Sequence, residues 1–131
     1  MYLTQKNRLK LSKKNYDIIC NLSNHCARFY NAALYSVRQY WFDNNEYLNS
    51  TRNYHECKEN YHFKMLLTDN SSQILRLIER NFKSFFSLLR QKKSGKYSEK
   101  INLPKYKKKN ESILFSKSWI KGQALFRHFG L

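Results

Sequence analysis

In QILRLIERNFKSFFSLLR, residues 73–90, the apolar side chains Ile74, Leu75, Ile78, Phe82, Phe85, Phe86 and Leu89 recur at steps of mostly three and four. At 3.6 residues per turn this spacing gathers them on one side, and the stretch predicts an amphipathic helix with a broad apolar face. Thr68, Asp69 and Asn70 form a capping cluster ahead of it, and Arg90, Lys92, Lys93 and then Gly95 mark its end. Such a face is core by default, so Phe82, Phe85 and Phe86 read as stability rather than chemistry. Arg76, Arg80, Lys83 and Arg90 fall on the opposite, exposed side.

Upstream, Ser12 stands where an N-cap belongs. From Lys13 to about Phe42, Tyr16, Ile19, Cys20, Ala27, Tyr30, Leu34, Val37 and Trp41 recur with helical spacing. One long helix is expected there, closed by Asp43, Asn44 and Asn45. Asn49 to Thr51 offer another cap, and Tyr54 to Leu67 read as one or two shorter helical pieces. Tyr2 to Leu11 shows a short period-two pattern, Leu9 and Leu11 against Arg8 and Lys10, which predicts a strand. Beyond Gly95 the texture changes. Pro104 biases Leu103 away from helix, so Ile101 to Tyr106 is expected to be extended. SILFS (112–116) and ALFRHF (124–129) suggest short strands about a turn at Lys121 and Gly122. Three Gly and one Pro in 131 residues argue for long helices over a turn-rich β-sandwich.

The charge is segregated. Residues 1–14 carry five basic side chains and no acid, residues 15–90 nine basic against seven acidic, and residues 91–131 eleven basic against two acidic, for a net +16. An excess held at two ends repels itself unless a polyanion or counterions neutralise it, which points to nucleic acid ahead of an anionic membrane. Between Gln91 and Asn110 eight lysines are interleaved with Tyr97 and Tyr106, so ammonium groups can follow phosphates while rings stack on unpaired bases. Lys6, Arg8 and Lys10 share one parity and would project from one face of a strand. The candidate nucleic-acid-binding set is therefore Lys6, Arg8, Lys10, Lys92, Lys93, Lys96, Tyr97, Lys105, Tyr106, Lys107, Lys108 and Lys109.

Catalytic and metal signatures are absent from the pattern. His55, Cys57 and His62, with His25 beside Cys26, lack the paired short spacing of structural zinc ligands. The nine acids are scattered, and there is no glycine-rich phosphate loop, H-E-x-x-H or G-x-S-x-G. No catalytic residue, metal, cofactor or small-molecule substrate is expected. Cys20, Cys26 and Cys57 make an odd set that reads as reduced thiols. No apolar run reaches the ~20 residues of a membrane span, and the start MYLTQKNRLK lacks a signal-peptide pattern. A cytoplasmic protein without membrane partners is expected.

Four ordered blocks carry a resemblance: Cys26-Ala27-Arg28-Phe29-Tyr30-Asn31-Ala32-Ala33-Leu34 with Val37-Arg38-Gln39-Tyr40; Asn53-Tyr54-His55-Glu56-Cys57-Lys58; Gln73-Ile74-Leu75-Arg76 through Phe82-Lys83-Ser84-Phe85-Phe86; and Leu103-Pro104-Lys105-Tyr106. Over about Leu9 to Phe115 the chain resembles TnpB, the OrfB-type protein of bacterial insertion sequences, related to the type V CRISPR effectors. TnpB proteins are RNA-guided DNA nucleases in which a helical recognition lobe is inserted into a small β-barrel, the wedge domain, that grips guide RNA. The resemblance therefore implies an α+β, predominantly helical fold, with about three to four helices, two of them long. Residues 1–12 would give the first strand of a wedge-type barrel, 13–95 the helical recognition lobe, and 96–131 a returning basic segment with the strands of an incomplete barrel. Structured guide RNA is the implied partner, with the RNA–DNA heteroduplex beside it. The RuvC-like nuclease domain of the family, where its metal ions bind, has no counterpart in these 131 residues, so the resemblance implies a truncated, non-catalytic member. The alternatives are the helix-turn-helix type DNA-binding portion of a transposase and a protein-interaction fragment acting on a full-length relative.

Overall fold

The computed structural model describes residues 10–66 and 68–108 together with Leu3 and Arg8. Four helices follow one another: α1 (Lys13–Asn44), α2 (Ser50–Cys57), α3 (Tyr61–Lys64) and α4 (Thr68–Lys93). Each boundary has a local cause. Ser12 is extended, and its hydroxyl accepts the Asn15 N–H at 3.3 Å, which satisfies one of the orphan donors of the first turn of α1. The helix then runs for 32 residues, about 48 Å at 1.5 Å per residue. It stops where Asn45 takes the left-handed conformation (φ 54°) and returns its N–H to the Trp41 carbonyl. Asn49 caps α2 by accepting the Arg52 N–H at 2.9 Å, and Asn60 caps α3 by accepting the His62 N–H at 2.8 Å. Two short helices result, α3 within the Tyr54–Leu67 stretch where one or two were expected and α2 starting four residues before it. α4 ends in a Schellman motif, in which Lys96 N–H bonds the Gln91 carbonyl and Gly95 N–H the Lys92 carbonyl. Gly95 adopts φ 79°, which a side chain would strain.

Pairwise contacts fix the directions. Cys26 meets Asn70, Tyr30 meets Asn81 and Trp41 stacks on Phe86, so α1 and α4 run the same way. A same-way pair needs a return path, and α2 with α3 supplies it: Asn53 and Cys57 reach Ala33 and Ser36, and then Phe63 and His62 reach Phe29 and His25. The core lies where the three meet. Phe29, Phe82, Leu34, Val37, Ala33 and Ile78 are 0–1% exposed, and Leu22, Leu48, Leu66, Ile74 and Leu75 close around them. Fully burying a side chain such as Phe29 or Phe82 is worth roughly 1.5–3 kcal/mol. The Ile74 to Leu89 face is therefore core at its N-terminal half, while Phe85 and Phe86 lie half-buried at its edge.

The α+β expectation, a helical lobe inserted into a partial wedge-type β-barrel, does not hold. The described residues contain no strand, and neither Arg8, Lys10 nor the extended residues 101–108 enter a sheet. The cause is a competition for backbone groups. Pro104 has no N–H to donate to a ladder, and its carbonyl is taken by the Arg38 guanidinium. The N–H and carbonyl of Lys107 are both taken by the Asn31 side chain. The segment is extended, as Pro104 indicated, but it lies on a helix instead of pairing with a strand. The expected strands at 112–116 and 124–129, the turn at Lys121 and Gly122, and most of 1–12 lie outside the described residues. No helix among the described residues is long and apolar enough to cross a membrane.

Polar atoms inside this core are mostly satisfied. Asn53, 1% exposed, donates to the Ala33 carbonyl at 3.3 Å and accepts the Cys57 thiol at 3.2 Å. Ser71 is different, because it is fully buried in the first turns of α4 and its hydroxyl has no hydrogen-bond partner among the described residues. A buried, unpaired hydroxyl carries its desolvation cost with no return, and alanine is also the better helix former. Ser71→Ala is therefore expected to raise stability by about 1 kcal/mol, read as a higher midpoint in urea unfolding with unchanged slope.

Candidate nucleic-acid interface

Residues 101–108 leave the end of α4 and run back along α1 as an extended strap. Its fastenings come from two α1 side chains. Asn31 donates its amide to the Lys107 carbonyl at 2.9 Å and accepts the Lys107 N–H at 2.8 Å, so one side chain satisfies both backbone groups of one residue. Arg38 donates to the Pro104 carbonyl and lays its guanidinium 4.4 Å over the Tyr106 ring. The register is a consequence of element geometry. Seven helical residues from Asn31 to Arg38 advance about 10.5 Å along the axis, and three extended residues from Lys107 to Pro104 cover about 10 Å. The strap therefore runs antiparallel to α1 without slack. Leu103 packs against the core, and the Lys107 ammonium sits 5.2 Å from the Tyr30 ring, whose hydroxyl accepts the Asn81 amide of α4 at 3.0 Å.

The face of α1 under the strap is a repeating stripe. Arg28, Asn31, Tyr35, Arg38 and Phe42 fall at alternating steps of three and four, so they share one side of the helix. Tyr35 and Phe42 are 57% and 60% exposed, and Arg28 is exposed with its Nε donating to Asn24 at 3.3 Å. The strap adds exposed Lys105 and Lys108 and a 41% exposed Tyr106. Among the described residues Arg38 has no carboxylate partner, and its Nε is buried without a hydrogen bond. Two open clefts flank the strap. The one toward α1, about 270 Å³, is polar, lined by Asn24, Arg28, Asn31 and Lys107. The one toward α4, about 260 Å³, is lined by Tyr30, Phe85, Leu88 and Pro104 together with the polar Asn81, Ser84, Asn102 and Lys105.

The sequence-derived site residues separate into groups. Lys105, Tyr106, Lys107 and Lys108 come together on the strap, and Tyr106 is held by Arg38, so its ring has one face already stacked. Lys92, Lys93 and Lys96 are exposed at the far end of α4, where Lys92 reaches the Glu99 carbonyl at 3.4 Å. Tyr97 is half-buried and its hydroxyl donates to the Glu99 carboxylate at 3.4 Å. Arg8 and Lys10 are exposed before the start of α1, and about 27 Å of helix separates Lys13 from Asn31. The two basic ends are thus not brought together by the described residues; Lys6 and Lys109 lie outside them. Arg28, Tyr35 and Arg38 were not among the sequence-derived residues although their three-and-four spacing is visible. The signal was there, but nothing in one sequence says which face of a long helix a distant segment will cover.

The histidines and cysteines resolve into separate small contacts. His25 of α1 and His62 of α3 share a hydrogen bond between their Nδ1 atoms at 2.9 Å, so one ring donates while the other, neutral, accepts. His55 stacks edge-on against Tyr54, and Cys57 bonds Asn53. Burial pushes the Cys26 thiol up to about 11, against the opposing pull of the Asn70 amide and the Lys107 charge, and burial likewise raises Cys57. Burial thus disfavours the reactive thiolate at both positions. Among the described residues no three His, Cys, Asp or Glu side chains converge in a way that could hold a metal ion. Comparison with protein-family models, with curated proteins and with solved structures returns no match to this chain.

Two outcomes are expected. Asn31→Ala removes both hydrogen bonds to Lys107, so amide hydrogen exchange at Lys107 should accelerate roughly 10–100-fold while the α1 and α4 cores keep their protection. Partial burial, then the charges of His25 and Arg28, hold His62 below the ordinary histidine value. The unfolded chain then takes up this proton first as pH falls, so the contribution is complete above about pH 6.5 and is lost below it. His25, Arg28 and Tyr61 face this ring, and His62→Asn should flatten the fall in melting temperature between about pH 7.5 and 5.5.

Proposed function

We propose that this chain binds RNA through the strap and the α1 stripe beneath it, and that it does so without chemistry of its own. The observation that carries this reading is the pair of fastenings from Asn31 and Arg38. They hold a lysine-rich segment in one conformation, with Lys105 and Lys108 exposed above a face that adds Arg28. Cations already ordered by the protein lose little freedom when phosphates arrive, which favours binding. Positive charge with exposed rings, Tyr35, Phe42 and Tyr106, suits unpaired or irregular RNA better than duplex DNA, whose bases present no open faces. The resemblance of the four blocks to TnpB proteins supports structured guide RNA as the ligand. The reading of a helix-turn-helix DNA binder has less support, because a recognition helix should carry an excess of cations into a groove, whereas residues 15–90, which hold most of the helical residues, carry nine basic against seven acidic side chains.

The test is a salt titration. Binding of a structured RNA hairpin and of duplex DNA of matched length is followed by fluorescence anisotropy across ~50–200 mM salt, with about six phosphate contacts costing roughly a thousandfold. The double variant Lys105→Glu with Lys108→Glu should bind the hairpin at least tenfold more weakly, with a salt slope shallower by about one for each phosphate no longer neutralised. Unchanged affinity in the variant, or equal affinity of the wild type for both ligands, would overturn the reading.

A further inference from the structure

We infer that the cleft between the strap and α4 seats one unpaired nucleobase of the bound RNA. This rests on the RNA reading above and goes beyond it by assigning a subsite that the basic residues alone do not define. The two clefts beside the strap differ in kind. The α1 cleft is lined by Arg28, Lys107 and two Asn amides and matches a phosphodiester. The α4 cleft is lined by half-buried Phe85, Leu88 and Pro104 and by the largely covered Tyr30, with four polar side chains beside them, and its volume of about 260 Å³ suits one flat ring system.

Its polar edge is what distinguishes a base from an aliphatic side chain. Asn81 uses one amide N–H on the Tyr30 hydroxyl at 3.0 Å. Its second N–H and its carbonyl oxygen make no hydrogen bond with the described residues, which leaves an adjacent donor and acceptor of the kind that reads a base edge bidentately. Lys105 also lines the cleft and is exposed, within reach of the phosphate of the same nucleotide. A paired base has its edge occupied and its faces covered, so only an unpaired one can enter. Pro104, one of the lining residues, is held in place by Arg38.

Two plugs test this from opposite walls. Ser84 and Asn102 both line the cleft, are exposed, and contribute no hydrogen bond between elements among the described residues. Ser84→Trp fills the cleft from α4 and Asn102→Trp fills it from the strap, with circular dichroism confirming that each variant keeps its helices. Anisotropy is measured for a single-stranded RNA decamer and for a ribose–phosphate chain of equal length without bases. The wild type should prefer the base-bearing decamer by about tenfold, and each plug should abolish that preference while keeping the salt slope. Equal affinity of the wild type for both chains, or an unchanged preference in both plugged variants, overturns the subsite and leaves the RNA reading standing. No binding of either chain or of the structured hairpin overturns both.

Discussion

A single amide decides how the basic segment of this chain is used. An extended stretch exposes one N–H and one carbonyl per residue, and those groups must find partners or water. At Lys107 the Asn31 side chain supplies both partners at 2.8 and 2.9 Å, doing for one residue what a neighbouring strand would do. Seven residues along the same helix, Arg38 takes the carbonyl of Pro104, the residue that cannot donate at all. The match between the rise of a helix and the reach of an extended chain allows both contacts at once. An asparagine two positions off on α1 would face another side of the helix and could not make them.

That arrangement depends in turn on the parallel packing of α1 and α4. Tyr30 is the link, since it lies 3% exposed between the helices, takes the Asn81 amide on its hydroxyl and offers its ring to the Lys107 ammonium. A lysine that covers an aromatic face keeps its charge while surrendering part of its hydration, which costs less than burying it against aliphatic side chains. Leu103 anchors the strap at its other end by packing on the core. The strap is thus tied to the hydrophobic core through Leu103 and Tyr30 and to the solvent face of α1 through Asn31 and Arg38. Its exposed lysines inherit their positions from these four residues.

What could be read in advance was local. Ser12, Asn45, Asn49 and Gly95 act at their own positions through caps and left-handed backbone, and they place the ends of α1 and α4 within one or two residues of expectation, whereas α2 begins at Ser50, four residues before the expected Tyr54. The apolar spacing of Ile74, Ile78 and Phe82 likewise needs no partner to be recognised, and all three are buried. The barrel failed because strand pairing is a relation between distant segments. An extended stretch with Pro104 in it is compatible with an edge strand or with a strap, and the choice lay with Asn31, more than seventy positions away. Lys105, Lys107 and Lys108 read as one basic run, yet Lys107 turns inward onto Tyr30 while Lys105 and Lys108 face solvent, a division that charge counting does not contain.

The strap also holds like charges close. Lys105, Lys107 and Lys108 run beside Arg28 and Arg38, and among the described residues Arg38 has no acid to oppose it. Their mutual repulsion works against the hydrogen bonds from Asn31 and Arg38, so the docked strap is less stable than those bonds alone would make it. A polyanion along this face removes the repulsion and leaves the hydrogen bonds. By linkage, whatever phosphate gains from finding the cations already ordered, the strap gains in docking strength from the phosphate. Salt screens the exposed lysines and leaves the half-buried Asn31 hydrogen bonds almost untouched, so the docked strap gains from ionic strength even without a ligand.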